Sequence, residues 1–419
     1  MFVLIVVSKM NKPELLVGTG DFASVIAAIK SKADAVYFGV KGYNMRDLGT
    51  NFEVKELKKL MQHLHKNKIK GYLALNTIIF ENELTQVEKI LIAAKKSKVD
   101  AVILSDLGVL ALAKKHKLNI FLSTQASVTN SLALKEYKSL GVKRVIFARE
   151  MNLNQIKEVT KKSHKLKIST ECFVHGAMCI SVSGRCFLSH ELFGRSANRG
   201  ECLQPCRRAF FLDGVSPNFE KKEVYLDGDT ILSAKDLKSI EFIDKIIKSG
   251  VDSIKIEGRT KPADYVALTT KCYREAIDSV FSKTYTKEKI ENWDTQLTKV
   301  YNRGFSSGFF FDTPKGKDLA TGQGSFQTQK RVNIGVVTKY YAKVGVAEIK
   351  LFDTVKVKDK IIIEGITTFI EQNIDSMEIH NKTVESASNG SAIGIKVSER
   401  VRPNDKVFKL VERKNSKQK

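Results

Sequence analysis

The chain has 419 residues, 42% of them hydrophobic and 28% charged, which is enough for two or three domains with buried cores. Six cysteines are too few for a disulfide scaffold of this length, and the apolar start is too short to span a bilayer, so we expect a cytoplasmic protein with reduced or metal-bound thiols and no membrane contact. A formal net charge of +24 suggests a polyanionic partner, but 55 of the 70 basic residues are lysines spread along the chain, as on an ordinary solvated surface.

Residues 14–260 alternate short apolar strands with amphipathic stretches, the pattern that builds parallel sheets from βαβ units. We predict eight strands, at 14–18, 35–40, 71–76, 101–106, 119–124, 144–149, 167–175 and 253–258. Helical spacing is found at 52–66, 84–98, 131–140 and 152–164. Because eight parallel strands can close on themselves, we predict a (β/α)8 TIM-like barrel within residues 1–320, with its active site at the carboxyl ends of the strands.

The seventh and eighth predicted strands carry charged groups at positions that a buried strand normally fills with Val or Ile. These residues are Glu171 and His175 in the seventh strand, and Lys255 and Glu257 in the eighth. A buried ion pair between Glu171 and Lys255 is one interpretation, because neighbouring strands could bring the two side chains together. A role at the active site is the other, so we take all four as candidate catalytic residues.

A long excursion after the seventh strand, residues 176–250, holds four of the six cysteines. They follow the pattern C-x6-C-x15-C-x3-C and are Cys179, Cys186, Cys202 and Cys206. Zinc sites usually combine two C-x2-4-C pairs, and only the last two cysteines have that spacing. A [4Fe-4S] cluster tolerates varied loops, so the spacing favours a cluster and leaves zinc and unligated thiols as alternatives. Cys172 and Cys272 are expected to be core thiols.

Arginines concentrate in the same excursion, where a guanidinium group suits phosphate or carboxylate recognition. Five of the fifteen lie there, namely Arg185, Arg195, Arg199, Arg207 and Arg208. Polar residues beyond the predicted strand ends would face the same mouth. The candidate substrate-binding residues are therefore these five arginines together with Gln125, Asn130, Arg149 and Arg259.

Beyond the barrel, a helix and an aromatic loop are predicted over 292–312, followed by a linker at 321–330. Residues 331–412 then alternate short apolar strands with turn residues, which is typical of a small antiparallel β-barrel. Residues 413–419 form a predicted basic tail.

Several stretches of the chain match a known signature. The sequences ECFVHGAMC at 171–179, SGRC at 183–186 and NRGECLQPCR at 198–207 resemble the collagenase-like peptidase family, and so do QASVTN at 125–130 and KIEGRTKP at 255–262. The resemblance implies a barrel followed by an elongation-factor-like β-barrel. It also implies that the four clustered cysteines hold a [4Fe-4S] cluster.

Within that family, the chain is most similar to members that hydroxylate tRNA. This resemblance implies formation of 5-hydroxyuridine at the wobble position of tRNA, with prephenate as the oxygen source. We hypothesise that Arg185 or Arg259 binds a prephenate carboxylate while Arg195, Arg199, Arg207 and Arg208 lie nearer the RNA. The alternatives are a metal-dependent collagenase-like peptidase, a hydroxylase of ribosomal RNA, and an RNA-binding module without catalytic activity.

Overall fold

A computed structural model describes residues 11–210 and 230–413. Part of the cysteine-rich excursion, 211–229, therefore lies outside the described residues, as does the predicted basic tail apart from Arg413.

Within these two ranges, the first sheet contains ten strands. They are β1 (Glu14–Gly18), β2 (Ala35–Gly39), β3 (Lys70–Leu75), β4 (Ala101–Leu104), β5 (Ile120–Leu122), β6 (Val142–Ile146), β7 (Ser169–Gly176), β8 (Asp236–Lys238), β9 (Ser253–Ile256) and β10 (Phe305–Ser306). Strands β1 to β7 are parallel neighbours, and β9 pairs in parallel with both β1 and β7. This double pairing closes the barrel, so the predicted eight-stranded fold is confirmed.

Two short strands of this sheet were not predicted. β8 pairs antiparallel with the carboxyl end of β7, and β10 pairs in parallel with β8. Each has only two or three residues, which is too short to show a period in the sequence. Together they extend the sheet on the side where the cysteine-rich excursion returns to the barrel.

Ten helices surround or follow the barrel in the described residues. They are α1 (Phe22–Lys30), α2 (Leu57–Lys66), α3 (Leu84–Lys96), α4 (Leu107–Lys115), α5 (Ser131–Ser139), α6 (Leu153–Lys165), α7 (Leu188–Phe193), α8 (Ile243–Lys248), α9 (Ala263–Phe281) and α10 (Lys287–Thr298). Several begin with side-chain caps; Asp21, for example, accepts a hydrogen bond from the Ser24 amide at 2.8 Å. No helix in these ranges combines the length and apolar character needed to cross a bilayer.

The remaining strands form an antiparallel sheet and a separate two-stranded ribbon. They are β11 (Gln329–Tyr341), β12 (Val346–Leu351), β13 (Val355–Lys356), β14 (Lys360–Gly365), β15 (Thr368–Asn373), β16 (Met377–Ile379), β17 (Lys382–Thr383), β18 (Ser386–Ala387), β19 (Ala392–Lys396) and β20 (Lys406–Glu412). β13 and β18 form the ribbon, and the other eight form the sheet. Val355 and Ala387 of the ribbon share one hydrophobic core with the sheet, so the two pack as a unit.

Candidate functional site

Glu171 and Lys255 meet in a buried ion network inside the barrel. Lys255 Nζ lies 3.0 Å from Glu171 Oε1, and Arg144 Nη1 lies 3.2 Å from Glu171 Oε2. Arg144 also pairs with Glu14 at 2.6 Å. The predicted pair is therefore confirmed. Lys255 lies in the wall of the cavity at the barrel mouth, and Glu171 does not line that cavity.

Unlike Glu171 and Lys255, which lie in an ion network, His175 lies among aromatic rings. Its ring is 5.4 Å from that of Tyr273 and 5.8 Å from that of Phe305, measured between centroids. Its Nδ1 is 3.3 Å from the Tyr273 hydroxyl. Burial lowers the pKa of His175 to about 3, so the imidazole is neutral at physiological pH. This side chain packs beside β8 and lines neither cavity at the barrel mouth.

Glu257, at the carboxyl end of β9, is the acidic centre of the mouth. The Tyr37 hydroxyl donates to Glu257 Oε2 at 3.0 Å, and Arg46 Nε lies 3.6 Å from Oε1. Burial alone would raise the pKa of Glu257, but the guanidinium groups of Arg46, Arg259 and Arg149 outweigh it and lower the pKa to about 2. The carboxylate therefore stays ionised at physiological pH and neutralises part of a strongly cationic site.

Arg149 and Arg259 reach this site from two sides. Arg149 stacks over Phe173 at 4.0 Å and donates to the Ala177 carbonyl at 2.5 Å. Arg259 donates to Asn51 Oδ1 at 2.9 Å and also to Asn44, while burial lowers its pKa to about 10. The Nε atoms of both arginines are buried and have no hydrogen-bond partner among the described residues. Buried donors without partners are costly, so both favour an anionic occupant.

The four clustered cysteines all line the cavity at the mouth. Cys179 is exposed and the other three are half-buried, while Cys172 and Cys272 are buried in the core as predicted. Burial raises the pKa of the Cys202 and Cys206 thiols. Within residues 11–210 and 230–413, no three His, Cys, Asp or Glu side chains converge closely enough to bind one metal ion.

A close contact between two backbone segments holds the part of the chain that carries the four cysteines, residues 176–210, against the barrel. Gly200 has φ +91, and a Cβ at this position would lie 2.0 Å from the Asn44 carbonyl oxygen. The Asp47 amide donates to the Gly200 carbonyl at 3.1 Å. Only glycine fits this contact. It places Cys202 beside the loop that follows β2, which also carries Arg46.

Two cavities meet at the cysteines. The inner one, about 130 Å³, has an apolar wall that includes Ile103, Ile146 and Phe173, and its polar lining includes Gln125, Arg149, Lys255, Glu257 and Arg259. The outer one, about 640 Å³, is lined by five cations, namely Arg46, Arg207, Arg259, Lys261 and Arg303. Cys179, Cys202 and Cys206 line both cavities, and Cys186 lines the inner one.

Most of the other predicted substrate-binding residues lie away from these cavities. Asn130 is exposed and caps α5 by accepting from the Ala133 amide at 2.9 Å. Arg195 pairs with Glu201 at 3.1 Å. The remaining arginines of the segment are placed as follows: Arg185 and Arg208 are exposed, Arg199 binds Glu83, and Arg207 reaches the outer cavity. Asn130 thus caps a helix and lines neither cavity.

Three cations of the site escaped the sequence analysis: Arg46, Lys261 and Arg303. Arg46 lies in the loop after β2, and its position beyond a barrel strand was the available signal. Lys261 follows β9, and burial lowers its pKa to about 7. Arg303 pairs with Asp236 at 3.1 Å. Lys261 and Arg303 belong to segments far apart in sequence, so only the fold brings them to one cavity.

Comparison with known proteins adds independent evidence. A model described as peptidase family U32 matches residues 20–320. A Methanocaldococcus jannaschii protein named as an uncharacterized protease is 45% identical over 95% of this chain and 98% of its own length. A Porphyromonas gingivalis protein named collagenase is 35% identical over 97% of this chain and 99% of its own length. The tRNA hydroxylation protein P of Helicobacter pylori is 34% identical over 77% of this chain and 79% of its own length.

Proposed function

Because the chain belongs to peptidase family U32, we propose that it is an iron–sulfur enzyme that hydroxylates tRNA, converting the wobble uridine to 5-hydroxyuridine with prephenate as the oxygen source. One observation carries the proposal: four thiols, three guanidinium groups and a carboxylate that is ionised at physiological pH line a single cavity at the mouth of the barrel. An RNA substrate also agrees with a cytoplasmic location and with the net charge of +24.

A [4Fe-4S] cluster suits the arrangement of the cysteines better than a zinc ion. Tetrahedral zinc, with Zn–S bonds of about 2.3 Å, requires all four sulfurs to converge on one point. The four thiols line one cavity, and only Cys202 and Cys206 have the C-x2-4-C spacing that is usual at zinc sites. In a cluster each cysteine binds a separate iron, so the sulfurs stand farther apart. Cys179, Cys186, Cys202 and Cys206 would hold the cluster, which would supply one-electron redox chemistry.

Prephenate suits the lining of the inner cavity. It carries two carboxylates and a six-membered carbon ring, and the cavity combines an apolar wall with Arg46, Arg149 and Arg259. The unpartnered Nε atoms of Arg149 and Arg259 favour one carboxylate each. Arg259 is therefore the better candidate of our two initial choices, because Arg185 is exposed outside the cavity.

The remaining polar residues of the cavity orient the arginines or neutralise part of their charge. Glu257 holds Arg46 and accepts from Tyr37, so it sets the position of the arginines and is a poor proton donor at neutral pH. Lys255 is held by Glu171 in the cavity wall. Asn76 and Gln125 are linked side chain to side chain at 3.1 Å and present amide groups to the cavity.

Anaerobic purification followed by nucleoside analysis tests the proposal. The protein should contain iron and labile sulfide and absorb near 400 nm, roughly as expected for an iron–sulfur cluster. Cys202→Ala should lose the iron, whereas Cys272→Ala, at a buried thiol outside the site, should keep it. tRNA from a strain lacking the gene should lack 5-hydroxyuridine. Iron-free wild-type protein, or unchanged tRNA, would contradict the proposal.

A peptidase is the second candidate, because the relative named collagenase covers 97% of this chain at 35% identity. The described site weakens it: His175 is buried among aromatic rings, and Glu257 is already neutralised by arginines. Colourless protein that cleaves denatured collagen would favour the peptidase. Loss of a hydroxylated nucleoside from ribosomal RNA, with tRNA unchanged, would instead favour a ribosomal RNA hydroxylase.

A further inference from the structure

The cysteine-rich segment has an unusually apolar surface. Six of the eighteen large hydrophobic side chains that are exposed in the described residues lie within 176–210. The Phe187 side chain is 74% exposed and that of Phe193 is 40% exposed. Phe80, in the loop between β3 and α3, is 55% exposed. Exposed patches of this kind, rimmed by polar groups, usually mark an interaction site.

The charges on this segment are as unusual as its apolar side chains. Residues 176–210 contain five arginines and no lysine, in a chain with 55 lysines and 15 arginines, and their only acidic residues are Glu191 and Glu201. The Arg208 guanidinium lies 4.7 Å from the centre of the Phe193 ring, and Arg199 lies 4.6 Å from that of Phe80. The surface therefore presents planar cations against aromatic rings, the combination that suits nucleobases and phosphates.

Phe80 belongs to the same surface because the two loops are tied together. Arg199 Nη1 donates to the Ile78 carbonyl and to Glu83, both at 2.8 Å, and the Ile78 amide donates to Asn198 at 3.4 Å. The surface also borders the inner cavity, since Phe187 directly follows Cys186, which lines it. We call Phe80, Phe187, Phe193, Arg199 and Arg208 the aromatic rim.

We propose that the aromatic rim binds an unpaired RNA segment by stacking its bases on Phe187 and Phe193, beside the mouth of the inner cavity. This inference rests on the proposed RNA substrate. Bases in a duplex are already stacked and hidden, whereas loop bases can splay out onto aromatic rings and guanidinium planes. Arg208 is exposed beside Phe193, so the phosphates that flank such bases are attracted as well.

Binding of a labelled RNA hairpin to the full-length, cluster-loaded protein tests the rim. Fluorescence anisotropy should show roughly tenfold weaker hairpin binding for Phe187→Ala and for Phe193→Ala, the expected loss for one stacked base. Phe187→Trp should restore binding, because indole also stacks. Phe352→Ala is the matched control, since this aromatic residue directly follows β12 and is 48% exposed. A blunt duplex made from the same stem should bind more weakly than the hairpin.

The possible results test the rim inference separately from the proposed function. If wild-type protein binds the hairpin and both rim variants bind it equally well, the rim inference is overturned and the proposed function stands. If the duplex binds as tightly as the hairpin, stacking of unpaired bases is overturned. If wild-type protein binds no RNA, the proposed function fails with it. Iron content equal to wild type in both variants should accompany the expected result, because the exposed rings do not hold the cluster.

Discussion

Glu257 shows how one carboxylate organises the site at the residue scale. Its neighbours Arg46, Arg149 and Arg259 come from three different barrel loops, and all three guanidinium groups belong to buried or half-buried residues. Without the carboxylate, these cations would face one another across the cavity. The same carboxylate also accepts from Tyr37, which fixes its rotamer.

Glu257→Gln should therefore destabilise the protein by about 3 kcal/mol, because it leaves buried arginines without a counter-charge. Urea unfolding measures the loss. The loss should be constant above pH 4.5, the ordinary pKa of the group, and should shrink as the pH falls toward the folded pKa of about 2. Glu291→Gln is the control, because Glu291 and Lys287 form an exposed pair 3.7 Å apart. Equal stability of the two variants would contradict the assigned role.

Lys261 provides a second prediction at the residue scale. Burial lowers its pKa from 10.5 to about 7, so the unfolded chain binds the proton more tightly than the folded chain. The cost of burying this charge is full below pH 7 and vanishes above about pH 10.5. Lys261→Met should thus be more stable than wild type near pH 7, and its advantage should fall by up to about 1.4 kcal/mol per pH unit between pH 7 and 10.

Urea unfolding of both proteins across this pH range checks the prediction for Lys261. Lys287→Met is a suitable control because the Lys287 side chain is 85% exposed. A pH-independent difference between wild type and Lys261→Met would show that the amine is not desolvated in the folded protein.

At the element scale, the cysteine segment depends on anchors to the barrel loops. Arg199 binds both carboxylate oxygens of Glu83, and burial of this pair is substantial, with 26% and 17% of the two side chains exposed. The Gly200 contact with the loop after β2 is the second anchor. Together they fix the position of residues 176–210, where the structure has one short helix, α7, and two 3-10 turns.

Arg199→Ala should loosen this segment without unfolding the barrel. In cluster-free protein, the alkylation rates of Cys202 and Cys206 should rise several-fold, because both thiols are half-buried while the anchor holds. Mass spectrometry of alkylated peptides gives the rates. Arg195→Ala should leave them unchanged, since the Arg195 pair with Glu201 lies within the segment and does not tie it to a barrel loop. Equal rates in the two variants would show that the Glu83 anchor does not restrain the thiols.

At the scale of the whole molecule, the C-terminal sheet packs directly on the barrel. Ile362 and Phe369 of this sheet belong to the same hydrophobic core as the barrel. Arg331 of β11 joins the two parts: its guanidinium lies 2.8 Å from Asp264 of α9 and 2.9 Å from Glu364 of β14. Burial raises the pKa of Glu364, and Arg331 partly offsets this shift.

Arg331→Ala should weaken the coupling between barrel and sheet, because it leaves two half-buried carboxylates without their shared cation. We expect a loss of about 2 kcal/mol or more, seen in calorimetry as an earlier unfolding step for the sheet. Arg400→Ala, at an exposed arginine, should unfold like wild type. A single transition with an unchanged midpoint in Arg331→Ala would show that apolar packing alone couples the two parts.

Local patterns determined the barrel and part of its interior. Apolar runs of strand length separated by amphipathic stretches identified the eight strands, because burial on both faces leaves a continuous apolar signature. The two-residue period of a strand then placed Glu171 and Lys255 on the lumen side, where they pair. The spacing of the four cysteines likewise indicated that they share one site, and all four line one cavity.

Only the tertiary structure decided which side chains lie next to each other in space. Periodicity orients a side chain toward one face, but it does not say whether that side chain meets a cavity, an aromatic ring or an opposite charge. Only the fold shows that His175 lies among aromatic rings and that Asn130 caps a helix. It also shows that Arg46 and Lys261 line the outer cavity. Closure of the barrel through β9, which sets Glu257 among arginines from distant loops, is a property of the whole chain and not of any short stretch.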